Sequence, residues 1–186
     1  PPPSELGPTL QAQSIATAHL AATYSQDLAL LRAQTEAMLS IRRTTLRGDI
    51  HRSLIQYAYL TPTGEPDTSA LDHDLADPDA DSPLVQEIRA GAMTRDQAAA
   101  WLHDYALALK MTDIEPVRLA LLARLSPLRE FEFSSEALLT ALDLRAREVN
   151  LLFADLDASS QALAHYAAFT PAPGAIASEA LRRSLS

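Results

Sequence analysis

The sequence predicts an all-α protein: an elongated helical bundle built on a long antiparallel helix pair, with shorter helices between them. Three observations carry this. Apolar residues make up 47% of the 186, with alanine and leucine supplying most of them, and both lose little freedom in helical geometry. Glycine occurs only 5 times. Two long stretches, one in each half of the chain, repeat their apolar residues at a helical period. A charged fraction of 21% and a mean hydropathy of −0.04 place the chain among globular proteins.

Residues 1–8, PPPSELGP, read as a stiff, non-helical, proline-rich leader. A single helical-bundle domain follows over 9–170. From Thr9 to Leu60 there is no proline and one glycine, Gly48. Leu20, Tyr24, Leu28, Leu31, Met38, Leu39, Leu46, Ile50, Leu54 and Tyr57 recur at helical spacing across it. One long helix, or two shorter ones parted at Gly48, would account for the pattern. Residues 61–83 form a loop rich in Asp and Pro, with a short helical turn around Ala70 to Leu75.

Ser82-Pro83 is an N-cap followed by proline at the first helical position, and Gly91 stops the helix it opens. Thr94 with Gln97 is a capping box. It opens a helix to about Met111 whose apolar face carries Ala98, Trp101, Leu102, Tyr105 and Leu109. Thr112 with Glu115 repeats the spacing, for a helix to about Leu125, and Ser126-Pro127 marks a stop and restart. From Ser134 to Phe169 comes the clearest signal. Leu138, Leu142, Arg145, Val149, Leu152, Leu156, Ser159, Leu163 and Tyr166 alternate spacings of four and three, a heptad seam. Pro171, Pro173 and Gly174 end it, and a tail over 171–186 carries a short amphipathic helix. The two long helices are expected to hide their apolar stripes against each other.

Two polar features stand out. Arg42, Arg43, Arg47, His51 and Arg52 cluster on the first long helix, interrupted by Asp49. Arg42 and Asp49 continue the apolar stripe, and Arg145 breaks the seam of the last helix. With Arg43 beside it as a further ligand-binding candidate, a layer of Arg42, Asp49 and Arg145 inside the bundle follows, since a buried arginine must be paired. Its partner is Asp49 or Glu148, or a small anionic ligand; a stripe drifting outward would instead leave the arginines in water. The second feature is the acidic loop. Asp77, Asp79 and Asp81 have the spacing of the first ligands of a calcium loop, but Ser82 stands where the turn glycine belongs and Ile88 where the bidentate Glu belongs. A solvated acidic loop is the plainer reading, with Ca²⁺ as its alternative.

The exclusions are firmer. The net charge of −9, with Lys110 the only lysine, argues against a nucleic-acid partner. With no cysteine, thiol nucleophiles, disulfides and Cys-bound metals are ruled out. No apolar run reaches the roughly 18 residues of a membrane span. His19, His51, His73, His103 and His165 make no metal-binding pair, and no catalytic or cofactor motif occurs, so no enzyme and no cofactor is expected. The chain begins at Pro1 without an initiator Met, which suggests a signal peptide, a membrane anchor or an expression boundary upstream.

These residues point to a non-enzymatic helical binding or sensing module, extracytoplasmic by preference, with a small anion at the arginine layer. In outline the arrangement is similar to helical-bundle sensor domains of bacterial receptors, a likeness of architecture without a shared motif. The alternative is a structural or adaptor protein that associates through its heptad helix, with itself or with another protein.

Overall fold

The computed structural model describes residues 3–169 and 182–185. Among these the named elements are all helical: α1 Pro3–Gln56, α2 Thr68–Ala76, α3 Pro83–Arg89, α4 Arg95–Lys110, α5 Glu115–Leu122 and α6 Ser126–Phe169. One isolated β-bridge joins Leu60 to Pro66. Residues 182–184 are helical, and the expected tail from 171 to 181 lies outside the described residues. The fold class is all-α, with α1 packed antiparallel against α6.

Of the residues expected to form a leader, 3–8 belong instead to α1, which starts at Pro3 and contains Pro8, and the first two lie outside the described residues. Proline is tolerated where the first backbone N–H groups have no intrahelical acceptor, and Pro8 sacrifices only one bond beyond that turn. The helix is also continuous through Gly48. α6 begins at Ser126, earlier than Ser134, because Pro127 sits in its tolerant first turn and does not separate two pieces.

Caps explain the shorter helices. Ser82 Oγ accepts from Val85 N at 3.3 Å, and Thr94 with Gln97 forms the full reciprocal box, at 3.1 and 2.9 Å. Gly91, at φ 76°, ends α3 in a Schellman turn in which Ala92 N donates to Glu87 O at 3.0 Å. The Thr112 box does not form: α5 starts after Ile114 without a side-chain cap. Within the expected 61–83 loop, Asp67 caps α2 by accepting from Ser69 N and Ala70 N, at 3.0 and 3.3 Å.

The chain divides into two compact units: residues 35–139, and residues 1–34 together with 140–186. The first holds the core. Leu54, Tyr59, Leu60, Leu71, Leu84, Val85, Trp101, Leu102, Leu122, Leu125 and Leu128 are essentially inaccessible. Trp101 Nε1 donates to Leu121 O at 2.6 Å, and its ring stacks on Tyr105 at 5.2 Å. Glu87, only 2% exposed, reaches from α3 to the start of α6 and accepts from Ser126 N at 2.6 Å and from the Ser126 hydroxyl. A carboxylate there satisfies an orphan donor and meets the positive end of the helix dipole.

The second unit is a two-helix hairpin. Ser14 Oγ donates to Asp157 Oδ1 at 2.5 Å, Ser25 Oγ to Asn150 Oδ1 at 2.9 Å, and Arg32 Nε to Asp143 Oδ1 at 2.6 Å. As one number climbs the other falls, which is the antiparallel register. The least exposed positions are Gly7, Leu10, Ser14, Thr17, Ala21, Ser25, Leu28 and Arg32 on α1, and Leu142, Asp143, Ala146, Val149, Phe153, Asp157, Ser160, Ala164 and Ala167 on α6. Most of these are small or polar. The contact between the two helices is therefore narrow, and from Phe153 onward it runs one residue out of step with the leucine stripe.

Candidate functional site

Several of the hairpin's large apolar residues lie beside this contact. Leu20 is 56% exposed, Leu152 58%, Leu156 47% and Leu163 56%. Leu6, Leu20 and Tyr24 each directly precede a seam residue of α1, and Leu152, Leu156 and Leu163 directly precede seam residues of α6. One step back along a helix turns the side chain by about 100°. Because the helices run in opposite directions, that step turns both stripes to the same side of the hairpin. The heptad read from the sequence is thus a real stripe: its members Leu142 and Val149 are covered as expected, whereas Leu152, Leu156 and Leu163 lie beside the contact with α1 and not in it. Nearly half of the α6 seam positions hold alanine or serine, and the rest include Val149, Phe153 and two aspartates.

The second feature lies wholly within residues 35–139. A cavity of about 330 Å³ is lined by Thr44, Arg47, Gly48, His51, Tyr105, Leu109, Arg118 and Leu122, from α1, α4 and α5. His51 Nδ1 lies 3.1 Å from Tyr105 Oη. Arg47 is ion-paired with Glu115, the first residue of α5, and Arg118 Nη1 lies 3.8 Å from the same carboxylate. Arg118 also closes the end of α4, donating from Nε to Ala108 O at 2.8 Å and from Nη2 to Met111 O at 2.5 Å. Burial raises the Tyr105 phenol above its ordinary value, against the pull of the Arg47 and Arg118 charges. Arg47 Nε is buried and makes no hydrogen bond. Two guanidinium groups thus share one carboxylate that is itself half exposed.

The expected arginine layer is not assembled. Arg42 is exposed on α1. Arg43 forks onto Glu132, with Nη2 donating to Oε2 at 3.0 Å, and lies 5.8 Å from the Phe131 ring centre. Asp49 pairs with Arg52 one turn along α1. Arg145 is 64% exposed and pairs with Glu148 at 3.6 Å. Arg52 and Arg145 find their carboxylates at the surface and Arg43 finds Glu132 at a half-buried position, so each guanidinium already has its counter-charge. Arg47 and His51, read as members of the basic cluster, are the ones that line the cavity. Gly48 between them, and the Glu115/Arg118 spacing of one turn, were the available signals.

The acidic loop is occupied with structural work. Asp77 Oδ1 accepts from Asp79 N at 3.0 Å, and Asp81 Oδ1 from Tyr57 Oη at 3.1 Å. Arg89 donates to the backbone oxygens of Asp77 and Ala80 at 2.6 and 2.5 Å. Asp72 forks onto Arg95 at 2.7 Å, which holds its pKa below the ordinary carboxylate value. Among the described residues no three His, Asp or Glu side chains gather as metal ligands, and no helix is long and apolar enough to cross a membrane.

No protein-family model matches the chain, and no curated protein and no solved structure matches it.

Proposed function

We propose that this chain is a non-enzymatic association module that works as a pair of identical copies joined through the hairpin's apolar face. The placement of Leu20, Leu152, Leu156 and Leu163 on one side of the hairpin, outside its own seam, is the observation that supports it. With Leu6 and Tyr24 these side chains expose on the order of 100 Å² apiece, about 600 Å² in all, at the upper end of the largest patch a typical monomer carries. The alanine and serine side chains between them bring the face toward the roughly 800 Å² per partner of a standard interface. A hairpin with one seam within itself and a second stripe about a quarter turn away has the two faces that a four-helix bundle needs.

Charge favours a second copy over another partner. Residues 35–139 carry seventeen acidic and ten basic residues, whereas the hairpin segments and tail carry seven and five. Two identical acidic chains repel least where their charge is sparsest, and a two-fold axis lets one stripe meet its own copy. Sedimentation equilibrium on the full chain tests this. A dimer is expected for the wild type and a monomer for the Leu156→Glu/Leu163→Glu double variant, with the Trp101 core intact. A monomeric wild type at all concentrations would refute the self-pairing and leave the face to a different protein.

A further inference from the structure

We infer that the cavity bounded by α1, α4 and α5 binds a compact oxyanion, a carboxylate or a phosphate, which takes the place now held by the Glu115 carboxylate between Arg47 and Arg118. This goes beyond the association described above and stands without it.

Three independent observations carry it. First, the site is cationic in an acidic molecule: two guanidinium groups face one carboxylate, and the buried Arg47 Nε donates to nothing. Two guanidinium groups that share one carboxylate leave positive charge uncompensated, which an anion with several acceptor oxygens would neutralise. Second, the present counter-charge is poorly retained. Glu115 opens α5 with a side chain 51% exposed, and an ion pair at that exposure is worth little. It occupies the position that an external oxyanion would take.

Third, Gly48 has no structural reason to be glycine. It sits inside α1, lines the cavity, and a Cβ built on it would meet nothing within 4 Å. Glycine within a helix weakens it, and no neighbour packs closely enough to demand one. What the missing methyl provides is room beside Arg47 and His51.

The test is binding of inorganic phosphate and of succinate to the full chain, each by calorimetry at matched ionic strength with chloride as control. Saturable binding of one probe is expected, and which probe binds distinguishes phosphate from carboxylate chemistry. Glu115→Gln removes the internal competitor and should tighten binding about fivefold, the worth of one surface ion pair. Arg47→Met should abolish it. Gly48→Ala gives the decisive split: a higher melting temperature with weaker binding, a combination that damage to the fold cannot produce. Failure of both probes to bind both the wild type and Glu115→Gln would overturn the site, as would unchanged affinity in Gly48→Ala.

Discussion

Ala58 shows how a single residue can carry a measurable cost. It follows α1 at φ 61°, in the left-handed position of a Schellman turn in which Tyr59 N donates to Leu54 O at 2.9 Å. Alanine pays there for its Cβ and glycine does not. Ala58→Gly should therefore stabilise the protein by about 0.5–1 kcal/mol in urea denaturation. Glu87 has the opposite sign. Truncation to Ala strands the Ser126 N–H and should cost about 1–3 kcal/mol. Tyr59 adds a pH term. Its buried hydroxyl lies 2.5 Å from both Asp74 Oδ2 and Ser82 Oγ. Burial first, and Asp74 second, raise the phenol well above its ordinary value. A folded-state pKa raised above the unfolded one gives stability that is complete below about pH 10 and lost as the pH climbs further. Tyr59→Phe should flatten that alkaline limb in a stability profile.

At the scale of the helix, α1 and α6 differ in how openly they announce themselves. Their existence was legible from apolar period and the absence of interior proline, and the Ser82 and Thr94 caps from residue type alone. What each stripe faces was not. Spacing of four and three identifies a stripe, but Leu156 and Asp157 follow patterns that differ by one residue, and the structure buries the smaller, more polar one. Which of two adjacent stripes faces the partner helix is a tertiary preference that no local window contains. The cavity was hidden for a related reason. Arg47, Tyr105 and Arg118 are far apart in sequence, and Tyr105 at Trp101 plus one turn reads as core, which in part it is. Gly48 gives the prediction proper to this scale: Gly48→Ala should stabilise α1 by about 0.5–1 kcal/mol, measured by thermal unfolding without added anion.

Over the whole molecule, acid should act through a few carboxylates. Asp67 is held down by its bonds to Ser69 and Ala70, Asp72 by Arg95, and Asp143 by Arg32. A folded-state pKa lowered below the unfolded one gives stability that is present above about pH 4 and lost as the pH falls through the folded value. Acid unfolding should accordingly begin below about pH 4, and Asp143→Asn should remove the hairpin's share, seen as a shallower acid limb by circular dichroism. The stack of Trp101 on Tyr105 has a consequence of a different kind. The chain has one tryptophan, and it lies in the core of residues 35–139, next to the ring that lines the cavity. Its fluorescence therefore reports on that core and on the neighbourhood of Arg47. Melting of the hairpin would appear as lost ellipticity at constant emission, so a single unlabelled sample could show whether the two units unfold together.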